Sequence, residues 1–160
     1  KEATNKFILK VPFKKEVALE KYNNLLILSA ELTFNLCEKN ILKEGINTLI
    51  KHFLDKGGNI LYVKFHPSSS SEDIDFYKDL LSVYKDKLKF HILAQEINLE
   101  AIFASAKPDI YITASSVGLY AYVCGCSVYS CANKLSKQDK DFSLMWNNFP
   151  KNIKSNFIQL

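Results

Sequence analysis

Arginine does not occur in these 160 residues: all 21 basic side chains are lysines, set against 17 acids for a formal net charge of +4. No planar guanidinium fork is available to grip a phosphate or carboxylate, so any anion has to be held by lysine, histidine, hydroxyls or backbone N–H groups. The surplus of positive charge is small and dispersed, which argues against nucleic acid as a partner. Long apolar runs are missing too. Stretches such as Leu25 to Leu28 fall far short of the roughly 20 residues a membrane span needs, and no charged start followed by an apolar stretch marks a signal peptide. Neither G-x-G-x-x-G after a strand nor a Walker A sequence is present, so dinucleotide and P-loop sites lack their fingerprints. The cysteines are few, Cys37, Cys124, Cys126 and Cys131, and their spacing is neither that of a zinc ribbon nor that of a disulfide framework. Reduced thiols in a cytosolic protein are the plain expectation. His52 and His91 have no carboxylate pair or cysteine at a metal-building distance in sequence, so no metal and no cofactor is expected.

What is present is the composition of an ordinary globular domain, 48% hydrophobic and 24% charged, in a length that fits one domain. The first residue is Lys1 rather than Met, which suggests a chain that begins inside a longer protein. Three stretches are distinguished: residues 1–21, rich in lysine, as a linker or partial element; residues 22–134 as the folded domain; and residues 135–160 as an amphipathic tail.

Within 22–134, short apolar runs alternate with segments of helical period, the pattern of a parallel sheet covered by crossover helices on both faces. Strands are predicted at Leu25 to Ser29, Ile60 to Phe65, Lys89 to Ala94, Asp109 to Ala114 and Ser127 to Cys131. A helix from about Gly45 to Leu54 puts Ile46, Leu49, Ile50 and Phe53 on one face and stops at Gly57-Gly58. A second begins in the serines at 68–71, with Glu72 and Asp73 complementing its positive end, and runs to about Tyr84. Asn98 caps a third through Ala106, and Ser115-Ser116 opens a fourth to about Val123. The tail carries Phe142, Met145, Trp146, Phe149, Ile153 and Phe157 among lysines, as one or two amphipathic segments in need of a partner surface. The fold class is therefore α/β and Rossmann-like.

In open parallel sheets, ligands bind beyond the carboxyl ends of the strands, where helix N-termini offer free N–H groups to anions. Lys64-Phe65-His66-Pro67 closes the second strand. Alternation sends Lys64 and His66 to one side, and Pro67 fixes the exit, so the imidazole stands at the rim where it can bond or protonate a phosphate; a solvated His-Pro turn is the plainer alternative. Ser115 and Ser116 place two hydroxyls at a helix start, an anion site or ordinary capping serines. Glu44, in the connection after the first strand, is either a base facing a ligand or a loop acid favouring a helix start. Glu100, in the first turn of the third helix, can accept both hydroxyls of a ribose or simply complement the helix dipole, and Glu96 is a nearby substitute.

The order Lys64-x-His66-Pro67, Ile97-Asn98-Leu99-Glu100, Lys107-Pro108-Asp109 and Ser115-Ser116 resembles the donor-binding, C-terminal domain of bacterial sialyltransferases of the GT-B fold, the lipooligosaccharide and capsule enzymes, over about Leu25 to Asn133. The resemblance implies a sialyltransferase that takes CMP-sialic acid as donor. His66 would contact the CMP phosphate and act as general acid, with Ser115 and Ser116 binding the same phosphate. Lys64 would lie near the cytosine, Pro67 would shape the base pocket and Glu100 would hold the ribose hydroxyls. The family's base lies in a motif of two acids followed by glycine, to which Lys43-Glu44-Gly45 is similar with Lys43 replacing the first acid, so Glu44 takes that role. A CMP-linked sugar leaves as a phosphate monoester with no pyrophosphate, which hydroxyls, helix N-termini and one imidazole can handle without a metal. The partners implied are a CMP-sugar donor, a glycan acceptor, an N-terminal acceptor domain outside this chain, and a second copy of the chain. A cytoplasmic place, peripheral at a bacterial inner membrane, follows from the resemblance, with support from Lys151 and Lys154 beside Trp146 and Phe149.

Two rivals remain at this stage. One is a transferase for Kdo or another nucleotide-activated sugar in capsule synthesis. The other is a non-catalytic, flavodoxin-like interaction domain in which the serines are caps and His66 is surface decoration.

Overall fold

The computed structural model describes residues 22–160, so the stretch 1–21 read as a linker lies outside the described residues. Six strands form one parallel sheet: β1 (Asn24–Leu28), β2 (Ile60–Phe65), β3 (Lys89–Ile92), β4 (Asp109–Ile112), β5 (Val128–Ser130) and β6 (Ile158–Gln159). Their spatial order is β3-β2-β1-β4-β5-β6, with Leu25 opposite Tyr62 on one side and Ile110 on the other. Leu25, Leu26, Ile27 and Leu28 are buried in succession although alternate residues face opposite ways, so both faces of the sheet are covered. On the edge strand β3, Lys89, His91 and Ile92 are exposed. The chain is an α/β, Rossmann-like domain.

The helices between the strands are α1 (Lys39–Asp55), α2 (Ser71–Ser82), α3 (Leu99–Ala106) and α4 (Val117–Val123). On α1, Leu42, Ile46, Leu49, Ile50 and Phe53 form the buried stripe, and full burial of one such side chain stabilises by about 1.5–3 kcal/mol. Gly57, at φ +80°, ends α1: its N–H donates to Leu54 O, and that of Gly58 to Phe53 O, the paired bonds of a Schellman motif. Ser70 caps α2 by accepting from Asp73 N, and Asn98 caps α3 by accepting from Ala101 N.

Helix α1 starts at Lys39, about a turn and a half before the predicted start at Gly45. No side chain local to Glu38 caps it. The Glu38 N–H donates instead to Asp139 Oδ2 at 2.8 Å, from 101 residues further along the chain. A cap delivered by tertiary structure has no local sequence signal, which is why the early start was missed.

After β5 come α5 (Ala132–Gln138), α6 (Lys140–Asn147) and α7 (Lys151–Lys154), and then β6, which pairs Ile158 with Tyr129. The division drawn at residue 134/135 thus falls inside α5. The partner surface that the aromatic tail requires is the domain's own core: Phe142, Trp146 and Phe157 are buried with the sheet residues. Gly45 is where α5 meets α1. A Cβ there would stand 2.6 Å from Leu135 Cδ2 and 3.0 Å from Cys131 Sγ. The Trp146 ring stacks against Phe157, donates Nε1–H to Asn133 Oδ1 and lies under Lys154 Nζ, so it is not offered to a membrane surface, and that support for a peripheral location falls away. Among the described residues no helix is long and apolar enough to cross a membrane.

Candidate functional site

From β1 the chain winds outward through β2 to β3, then returns to lay β4 on the other side of β1 and continues to β5 and β6. The direction of winding therefore reverses between β1 and β4, the topological switch point beyond which open parallel sheets bind ligands. Residues 29–38 after β1, 66–70 after β2, 93–98 after β3 and 113–116 after β4 share that edge.

His66 continues the β1–β2 ladder one residue beyond the strand, its N–H donating to Leu28 O at 2.9 Å, so its backbone is fixed while its side chain is exposed. Its Nδ1 accepts from the Ser68 N–H at 3.1 Å. With Nδ1 engaged as an acceptor, Nε2 is the nitrogen left to donate from the neutral ring. Pro67 sits in this turn, exposed, and Ser69 N–H closes it onto His66 O at 2.9 Å. Phe34, in the loop after β1 and itself exposed, stands edge-on to the imidazole with ring centres 6.5 Å apart.

Lys64 lies two residues back and is buried. Its Nζ donates to Ala94 O, at the end of β3, at 2.6 Å. Burial pulls its pKa below the ordinary lysine value, and the nearby Glu96 carboxylate acts in the opposite sense. After β4, Ser115 is half-buried with Oγ accepting from Val117 N at 3.2 Å, while Ser116 is exposed and makes no side-chain cap bond. Glu100 is exposed in the first turn of α3, just after the 93–98 connection that leaves β3 at the same edge. The structure thus places Lys64, His66, Pro67, Glu100, Ser115 and Ser116 along one edge, with the 29–38 loop between the His66 and Ser115 segments.

Glu44 is placed differently from its expected position. It is not in the connection after β1 but inside α1, exposed, roughly 7.5 Å along the axis from Lys39 at 1.5 Å per residue. The carboxylates that occupy the switch point are Glu31 and Asp73. Glu31, 1% exposed at the end of β1, accepts from the Thr113 hydroxyl of the β4 end and from the Tyr77 hydroxyl of α2, the latter at 2.6 Å. Burial raises its pKa above the ordinary glutamate value, the hydrogen bonds from Thr113 and Tyr77 partly offset this, and the neighbouring Asp73 adds to the rise. Asp73, fully buried one helical turn before Tyr77, accepts from the N–H groups of Leu32 and Thr33, each at 3.1 Å, and from the Thr33 hydroxyl. Thr33 Oγ1 in turn accepts from Ser70 N at 3.0 Å, and the Ser130 hydroxyl donates to Thr113 O.

These two acids were missed for different reasons. Asp73 has the sequence position of a dipole-complementing residue in a first helical turn, and only the folded loop shows that its carboxylate turns inward. Glu31 is the first charged residue after the apolar run of β1, and that abrupt change was the available signal. Among the described residues no cluster of histidine, cysteine and carboxylate side chains could hold a metal ion. No protein-family model and no curated protein matches this chain.

Proposed function

We propose that this chain is the donor-binding half of a sialyltransferase of the GT-B type and that CMP-sialic acid binds at the C-terminal edge of the sheet. The observation that carries the proposal is the pair of anion-suited groups on either side of β1. His66, exposed just past the end of β2 with Nδ1 already accepting a bond, and Ser115 and Ser116, just past the end of β4, lie at the same carboxyl edge of the sheet. A single phosphate at the switch point is the ligand such a set suits, since each group donates one hydrogen bond and the chain has no arginine with which to clamp a pyrophosphate. When the bond between sugar and phosphate breaks, charge builds up on the departing CMP, and donors already in place stabilise it more than they stabilise the intact donor sugar. Lys64 and Pro67 would border the base and Glu100 the ribose, as the resemblance implies. Glu44, inside α1, takes no part in the proposal. The acceptor half lies on a partner domain, at the cytoplasmic face of a bacterial membrane.

The test is calorimetric titration with CMP, UMP and GMP, on the native chain, on His66→Ala and on the double variant Ser115→Ala/Ser116→Ala. CMP should bind selectively, and loss of a hydrogen bond to the charged phosphate, worth about 1.5–3 kcal/mol, should weaken it about tenfold or more in each variant. Equal binding of all three nucleotides by a folded sample, or none, overturns the proposal and favours an interaction domain. Comparison of CMP-sialic acid with CMP-Kdo separates the two sugar donors.

A further inference from the structure

Glu31 is a carboxyl group with almost no access to water, and the hydrogen-bond partners it has are hydroxyls rather than a lysine or histidine. The groups around it are Thr113 at the end of β4, Tyr77 and Asp73 of α2, Cys37 of the loop after β1 and Cys131 after β5. None of these carries a positive charge. Burying an acid in such a place costs several kcal/mol, and an apolar side chain of the same size would fill the space with no such cost. What an apolar side chain cannot supply is direction: each hydrogen bond fixes a partner in distance and angle.

The elements that these bonds join are the ones that border the proposed ligand site. Thr113 stands two residues before Ser115. Tyr77 belongs to the helix that follows His66-Pro67, and its hydroxyl also lies 3.3 Å from Ser29 O. Asp73, on the same face of α2, holds the backbone of Leu32 and Thr33, and Thr33 holds Ser70. Two sets of hydrogen bonds, one centred on Glu31 and one on Asp73 a helical turn from Tyr77, therefore tie the loop after β1 to both flanking segments.

We infer that Glu31 is the positioning residue of the donor site, a buried joint that holds the His66 segment, the 29–38 loop and the Ser115–Ser116 segment at a fixed mutual spacing. This role rests on the donor-site reading for its ligand, although the joint itself does not. A single phosphate bonded from both sides of β1 requires that spacing, because a shift of about an ångström between donors breaks one of the bonds.

The experiment uses the whole chain and four variants, Glu31→Ala, Glu31→Gln, Tyr77→Phe and Thr113→Val, with two readouts: CMP affinity by calorimetry and backbone amide exchange without ligand. Glu31→Ala should weaken CMP binding about tenfold in a sample that still unfolds cooperatively, the equivalent of one lost hydrogen bond at the phosphate. Glu31→Gln keeps the volume and a carbonyl acceptor and should restore affinity to within about threefold. Exchange should quicken together at residues 32–35 and 115–117 in Glu31→Ala while Leu49 to Phe53 of α1 stay protected. Native-like CMP affinity in folded Glu31→Ala, or in both Tyr77→Phe and Thr113→Val should the alanine variant not fold, overturns the positioning role. If the native chain binds no CMP, the donor-site reading fails on its own account and exchange decides the joint. Coordinated quickening on both sides of β1 upholds it, and quickening confined to residues 29–32 overturns it.

Discussion

Replacing Asp139 with alanine tests whether the start of α1 depends on a residue about a hundred positions away. The Asp139 carboxylate accepts from Glu38 N at 2.8 Å through Oδ2, and from Asp141 N and Phe142 N, both at 2.9 Å, through Oδ1. One side chain thus caps two helices, α1 and α6. Loss of an N-cap costs about 0.5–2 kcal/mol, and the alanine also leaves the Glu38 N–H without its acceptor, for a further 1–3 kcal/mol, so a total of about 2–4 kcal/mol is expected. At about 2–4 °C per kcal/mol for a domain of this size, that is a fall in Tm of roughly 5–15 °C. Asp139→Asn retains one carbonyl acceptor and should lose about half as much. Burial disfavours ionisation of Asp139, but the backbone N–H groups of Phe142, Glu38 and Asp141 outweigh it and hold the carboxyl below its ordinary value of 3.8. For an acid with a depressed folded pKa, the unfolded chain binds the proton more tightly. The stabilisation is therefore present in full above 3.8 and is lost as pH falls through the lower folded value. Urea denaturation followed by circular dichroism should accordingly show the gap between native protein and Asp139→Asn at pH 7 and see it narrow near pH 3. A native-like midpoint for Asp139→Ala at pH 7, or unchanged exchange protection in the first turn of α1, would refute the tertiary cap.

Two further expectations follow from the interior. Burial pushes the Cys37 thiol up to about 12 and the Cys126 thiol up to about 11, and raises that of Cys131 as well, whereas Cys124 is only half-buried. A thiol reagent at pH 8 should therefore modify Cys124 promptly and the other three only after unfolding, and fast reaction of Cys131 in the native state would contradict the packing. Gly118 on α4 leaves space that Ile112 and Phe157 fill: a Cβ there would stand 2.6 Å from Ile112 Cδ1 and 2.7 Å from Phe157 Cζ. Gly118→Ala should lower stability by about 1–3 kcal/mol in denaturant titration, and a stabilised variant would show that the C-terminal segment does not pack on α4 as described.

Five of the six strands and the first four helices were legible in the sequence because their signals are local. Apolar runs bounded by Gly57-Gly58, His66-Pro67 and the capping residues Ser70 and Asn98 set period and boundaries within a few residues of each element. That Lys64, His66, Pro67, Ser115 and Ser116 fall at strand ends and Glu100 in the helix start after β3 was legible for the same reason: in a parallel sheet, a place in the strand order fixes a place along the carboxyl edge. What depends on contacts far apart in sequence was not legible. The two-residue β6 is too short to carry a period and exists because Tyr129 and Ser130 offer it a partner. Glu44 lies inside α1, whose early start has no local cap and meets Asp139 only through the fold. The inward turn of Glu31 and Asp73 required Thr113, Tyr77 and the folded 29–38 loop to supply donors. The sequence alone determined the α/β class and which segments follow the carboxyl ends of the strands, because hydrophobic period and turn residues act over a few positions. Only the tertiary structure decided which acids are buried at the switch point and where the C-terminal aromatics pack, because a buried polar group is tolerated only where distant segments bring it partners.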